Sequence, residues 1–260
     1  MRAHRWRTAL MGPSETWDQV RKPVELRTSA YLGQISLDIH RTFPNEHWFD
    51  PHRHKLVDLL NTFASINVGI GYIQGMNYLI FPLWKVYYDS APEWAVEDTL
   101  ISLQSIMHMT LRVYPTHVSD SRDTSYLKTL AGVVRLRCIT LSPRMNVLFD
   151  ADYEPFIISV ISSVIPTLFA TVLNLDHVMV LWDQFFDAGS KRSMFNRAVD
   201  TLVCLLVHHK NLFIYLPVCT AMDVFKRLTH QTLNQYVVRK TIEVFTPHVR
   251  VRPTPATTAT

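Results

Sequence analysis

Two short stretches hold the side chains best suited to chemistry. The first reads Ile35-Ser-Leu-Asp38-Ile-His-Arg41-Thr-Phe-Pro44, and sets a carboxylate about one helical turn ahead of a guanidinium. The second reads Gly71-Tyr72-Ile-Gln74-Gly75-Met-Asn77-Tyr78 and contains two of only seven glycines in 260 residues. An always-charged planar guanidinium is matched to negative charge building on phosphate oxygens. A carboxamide accepts a hydrogen bond from an attacking water through its C=O and donates to a phosphate oxygen or to that water through its NH2. Hydrolysis of a nucleotide phosphate needs such positioning and charge stabilisation more than a strong nucleophile. The chain has no Gly-x-x-x-x-Gly-Lys-Ser/Thr loop to bind a nucleotide itself. A nucleotide acted on by these residues would have to arrive with a partner.

The flanking sequence says how the two stretches are held. Ser29 is a candidate N-cap for a helix to about His40, with Leu32, Ile35 and Ile39 as its apolar stripe. Gln34, Asp38 and Arg41 fall on a different, polar face, and Pro44 ends the helix by disfavouring helical geometry at Phe43. Arg41 is thus expected at a helix exit, held from one turn back by Asp38. A polar segment over 45–54 carries His47, His52 and His54, and amphipathic period returns from Lys55 to Ile66. Asn67-Val-Gly-Ile-Gly71 breaks that period, and a hydrophobic helix follows from Tyr78 to about Tyr88, with Pro82 near its start.

In this order and at this separation, Ile35-x-x-Asp38-x-x-Arg41 and Tyr72-x-Gln74-Gly75 resemble the paired motifs of TBC domains, the activators of Rab-family GTPases. The resemblance implies an all-α fold, a single irregular bundle of ten or more helices. It makes Arg41 an arginine finger and Gln74 a glutamine finger, which replaces the GTPase's own catalytic glutamine. It makes Asp38 the residue that orients Arg41, places Tyr72 against the partner's switch region, and lets Gly75 bring the backbone close to it. Asn77, Trp182 and Asp183 join as supporting or partner-binding residues. The family's Arg-x-Trp-Asp motif is met in part, by Trp182 and Asp183, with Val180 at the arginine position. Arg2-x-x-x-Trp6 loosely resembles the family's entry helix. The implied partner is a GTP-loaded Rab GTPase that carries its own GTP and Mg²⁺, with no cofactor or metal held by this chain. The implied location is cytoplasmic, peripheral on vesicle or organelle membranes.

The remaining sequence is read as an entry segment over 1–28, the TBC-type domain over 29–246 and a disordered tail over 247–260 rich in Pro and Thr. Scarce glycine and abundant Leu, Val and Ile favour helices over hairpins. Ser90-Ala-Pro-Glu93 reads as a capping box opening a helix from Trp94 to about Met109. Asp176 is a candidate N-cap for a helix to Phe186, and Gly189 its C-terminal cap; helices follow over Ser190–His208, Cys219–Leu228 and Gln231–Phe245. A net charge of +4 calls for no nucleic acid. Three cysteines without metal spacing fit a reducing compartment. The histidines over 47–54 lack the ligands for a tetrahedral metal set. Phe156–Leu173 carries no formal charge, yet Pro166 and five hydroxyl residues within it favour two buried core helices over a membrane span. Three rivals stand beside the activator reading. One is a Rab-binding or scaffold module without useful catalysis; the second is an unrelated helical scaffold in which the motif pair arose by chance; the third is a helical protein embedded in a membrane.

Overall fold

The computed structural model describes residues 1–113, 125–149, 154–187 and 191–211. Among the described residues there are ten α-helices joined by short 3-10 turns, with no strand. The expected Gly189 cap, the helices over Cys219–Leu228 and Gln231–Phe245, and the tail lie outside the described residues.

Three helices carry or flank the two motifs. Helix α3 (Leu32–Arg41) packs on α4 (Arg53–Ile66), and both meet α5 (Met76–Tyr88). Ile35 and Ile39 of α3 are fully buried, as their spacing requires, but Leu32 of the same expected stripe is 44% exposed. Helix α3 starts three residues after Ser29. The Ser29 hydroxyl bonds Asn61 Oδ1 of α4 at 2.8 Å and accepts from the Tyr31 N–H, so it pins the approach to the helix without capping it. The His-rich segment is no open loop: His47–His52 forms a 3-10 turn around the fully buried Phe49. Pro82 lies mid-helix in α5 and is buried.

Helix α6 (Ala95–Thr110) lies against α5 and against α1 (Arg2–Met11). A 3-10 turn over Pro92–Trp94 precedes α6 in place of the expected capping box. Ser90 is engaged elsewhere, accepting from Arg7 Nη1 at 3.2 Å. Arg7 and Arg21, just beyond α2 (Trp17–Val20), converge on Asp98 of α6 with Nε–O distances of 2.6 and 2.7 Å. Asp98 has no solvent exposure. Two guanidiniums on one buried carboxylate satisfy a charge that would otherwise be costly to bury.

The second half of the described chain is α7 (Ser125–Leu141), α8 (Glu154–Val164), α9 (Leu175–Phe186) and α10 (Lys191–His208). The uncharged stretch around Pro166 is one helix followed by hydrogen-bonded turns, not two helices. Helix α8 ends at Val164, and Leu168 and Phe169 take positive φ values of 47° and 67°. The Trp182 indole N–H donates to the Leu168 carbonyl at 2.9 Å and satisfies that buried backbone group from α9. Asn174, not Asp176, caps α9, accepting from the His177 N–H at 3.0 Å. Among the described residues no helix is long and apolar enough to cross a membrane. Cys138 of α7 and Cys204 of α10 are buried free thiols, their pKa values pushed up to about 12 by burial.

Candidate functional site

Arg41 is the last residue of α3, and its side chain is 60% exposed. Its guanidinium pairs with the Asp38 carboxylate one turn back, which is 3% exposed. Asp38 therefore does not lie on an open polar face with Gln34, as helical spacing alone suggests. It is buried because the segment after α4 folds over it. The Tyr72 hydroxyl donates to Asp38 Oδ2 at 2.6 Å, and Tyr72 is itself only 5% exposed. One carboxylate thus holds the guanidinium with one oxygen and the phenol with the other.

Two glycines shape the approach of Tyr72 and Gln74. Gly71 has φ +63°, and a Cβ there would lie 2.6 Å from the Tyr31 hydroxyl oxygen. Gly75 has φ +112° and is the residue before α5. Both conformations are open to glycine at little cost and strained for other residues. Between them Gln74 is exposed while Tyr72 points inward. Asn77, in the first turn of α5 and 1% exposed, closes the arrangement. Its Oδ1 accepts from the Gly75 N–H at 2.9 Å, and its Nδ2 donates to Thr42 Oγ1 at 2.6 Å. Thr42 in turn donates to the Asp38 carbonyl at 2.6 Å.

The result is a closed circuit from Asp38 through Tyr72, along the backbone to Gly75 and Asn77, then through Thr42 back to α3. It carries Arg41 and Gln74, both exposed, on segments that share buried partners. Neither needs a strong base or nucleophile nearby to act on phosphate oxygens and on a water.

The exit of α3 is strained. Phe43 has φ +44°, a conformation that costs a residue with a Cβ roughly 1–3 kcal/mol. Its ring packs against Tyr78 and Phe81, each with centroids at 5.6 Å. Arg53 of α4 donates to the carbonyls of Ile39, Thr42 and Phe43 at 2.8, 3.0 and 3.1 Å.

Thr42 and Arg53 are the two site residues that sequence reasoning missed. Thr42 carried no signal beyond its place after Arg41. Arg53 did carry one: it opens Arg53-His54-Lys55, a basic run in the first turn of α4, where the helix dipole favours acids.

Two of the three histidines are accounted for by local contacts. His47 Nδ1 lies 3.2 Å from Asp50 Oδ2, and His52 stacks on Trp48 with centroids 4.4 Å apart. Among the described residues no group of three or more His, Cys, Asp or Glu could hold a metal ion.

Trp182 and Asp183 sit apart from this circuit, on α9. Trp182 is fully buried. Asp183 accepts from Arg2 through both oxygens, at 2.8–3.0 Å, and from the Trp6 indole N–H at 2.9 Å. The two partial motifs, Arg2-x-x-x-Trp6 and Trp182-Asp183, therefore meet in one cluster that docks α1 on α9. Val180, at the position of the family arginine, is half-buried against the core.

The Rab-GTPase-TBC domain model matches residues 2–238 of the chain, nearly its whole length. The chain belongs to that family. Among its relatives is the growth hormone-regulated TBC protein 1-A of Danio rerio, 28% identical over 166 residues, which cover 60% of this chain and 42% of that protein. The growth hormone-regulated TBC protein 1 of Rattus norvegicus is 27% identical over 64% of this chain and 55% of its own length. That of Homo sapiens is 26% identical, over 60% and 45%. The matched region thus spans about half the length of these relatives. The match begins at residue 2, so it includes α1 and the Arg2–Trp6 pair.

Proposed function

We propose that the chain accelerates GTP hydrolysis by a Rab-family GTPase, with Arg41 and Gln74 inserted as paired fingers into the partner's nucleotide site. The observation that carries this reading is the shared anchoring of the two segments: Asp38 binds Arg41 and Tyr72 at once, and Gln74 projects to solvent two residues beyond Tyr72. Arg41 would stabilise charge developing on the phosphate oxygens, and Gln74 would orient the attacking water. Tyr72 supports the fingers from within, since its hydroxyl is spent on Asp38. At 5% exposure Tyr72 offers almost no surface for the expected contact with the partner's switch region.

The surface beside the fingers suits a protein partner. Leu37 of α3 is 73% exposed, and Val68, in the turn after α4, is 84% exposed. Aliphatic side chains on both flanking segments offer apolar contact around a polar centre, as protein interfaces do. GTP and Mg²⁺ would come with the GTPase. The chain would work in the cytoplasm, at the surface of vesicles or organelles.

The test is single-turnover GTP hydrolysis by a panel of Rab GTPases with the unsubstituted chain, Arg41→Ala and Gln74→Ala. Acceleration of one or a few Rabs is expected, with Arg41→Ala losing a factor of about 10³–10⁵ and Gln74→Ala also losing most of it. Rab binding without acceleration, unchanged by either substitution, would make the chain a binding module instead.

A further inference from the structure

We propose that Arg53 is a positioning residue for the arginine finger, acting as a clamp on the last turn of α3. This rests on Arg41 being the group presented to the nucleotide. The last carbonyls of a helix have no partner within it, and the end frays unless something outside supplies donors. Here Arg53 adds donors at and just past that end, beside the Thr42 N–H that reaches Ile39 O at 3.3 Å and the Glu46 N–H that reaches Phe43 O at 3.1 Å. The Arg53 Nη1 reaches Ile39 O and Thr42 O, and its Nη2 reaches Phe43 O. Residue 41 lies between these carbonyls, so the peptide frame of the finger is gripped on both sides.

The guanidinium is fixed in turn. Its side chain is 12% exposed, its Nε bonds Asp50 Oδ1 at 3.3 Å, and its carbon lies 5.5 Å from the centroid of the Phe81 ring. Arg53 occupies the first turn of α4, where a positive charge opposes the helix dipole. By turning back it delivers that charge to the C-terminal end of α3, where the dipole favours it. Arg53's bonds to Thr42 O and Phe43 O help hold Phe43 at its positive φ, alongside the Glu46 N–H on Phe43 O and the packing of its ring. Without the Arg53 bonds the chain after Arg41 would relax toward ordinary backbone, and the base of the finger would move with it. Asp38 would still pair with Arg41, but from a helix end no longer fixed in direction.

The experiment compares Arg53→Met, Arg53→Lys and the double variant Arg41→Ala/Arg53→Met with the unsubstituted chain, on a Rab that the chain accelerates. Rates are read at saturating activator, affinity for the GTP-analogue-loaded Rab is read separately, and amide hydrogen exchange is followed over residues 39–44. Arg53→Met is expected to lower the saturating rate by about 10–100-fold, with affinity within about twofold and faster exchange confined to the end of α3. Arg53→Lys, which keeps the charge and fewer of the bonds, is expected to recover part of the rate. In the Arg41→Ala background Arg53→Met should cost nothing more, because it acts through the residue already removed.

A further loss in that background, or an unchanged saturating rate despite faster exchange, overturns the role. So does a loss in Arg53→Met carried wholly by weaker Rab binding. If Arg53→Met does not fold, Arg53→Lys alone and in the Arg41→Ala background decides by the same comparison. Failure of the functional reading looks different: the unsubstituted chain and Arg41→Ala would then be equally inactive on every Rab.

Discussion

At the scale of single residues, the site depends on what surrounds Asp38. A buried carboxylate needs its oxygens satisfied, and here one guanidinium and one phenol do it. Tyr72→Phe removes the phenol's bond to Asp38, and with it the longer 3.3 Å contact to Asn77 Oδ1, while keeping the ring. A hydrogen bond to a charged group contributes about 1.5–3 kcal/mol, so a stability loss of that order is expected in urea unfolding. The same variant should lower stimulated GTP hydrolysis, because Asp38 no longer ties the Gln74 segment to α3. A wild-type unfolding midpoint in Tyr72→Phe would contradict the bond's contribution. The spacing of Asp38 and Arg41 announced their pairing, since residues three apart on a helix are neighbours. The burial of Asp38 was not announced, because it is caused by Tyr72, a residue far away in sequence.

At the scale of elements, the 3-10 turn over His47–His52 connects α3 to α4 through an aromatic cluster. His52 lies between Trp48 and Tyr88, with ring centroids at 4.4 and 4.6 Å. Burial there holds the His52 pKa below its ordinary 6.5, with the nearby His54 acting in the same direction. The folded chain thus keeps His52 neutral where the unfolded chain would protonate it. Its contribution to stability is complete above pH 6.5 and is lost as pH falls below that value. His209, at the end of α10, is shifted the same way by burial and adds to the trend. The urea midpoint is expected to fall between about pH 7 and about pH 5, and less steeply in His52→Phe. An identical slope in the variant would remove His52 as a cause. The sequence marked this segment as polar and loop-like because it counted histidines. Phe49 and Trp48, which pack inward, were the better guide.

At the scale of the whole molecule, the first residues of the described chain are clamped to its middle by two charged clusters. Arg2 and Trp6 grip Asp183 on α9, and Arg7 and Arg21 grip Asp98 on α6. Trp6 is fully buried and packs on Trp182 and Phe186. Asp98→Asn would leave two guanidiniums facing a neutral amide in the interior. Breaking a buried ion pair from one side costs about 3–5 kcal/mol, and a matching drop in unfolding free energy is expected. Because α6 is linked to α3 through α5 and α4, the loss should appear as earlier global melting. A local change confined to residues 1–21 would show instead that the cluster only fastens an appendage.

The sequence alone determined the helical class, the family to which its two motifs belong and most helix positions, because these rest on local periodicity, on motif spacing and on glycine's backbone freedom. The apolar stripe of Ile35 and Ile39, the break at Gly71 and the exposed exit at Arg41 could all be read without a partner segment. What only the tertiary structure decided is how the motifs are joined. Asp38 meets Tyr72, Asn77 meets Thr42, Arg53 returns to α3, and Arg2 with Trp6 meets Asp183. Each of these bonds spans residues whose separation along the chain carries no periodic signal. They form because buried polar groups must find partners, and which partner lies within reach is settled only when the helices have packed.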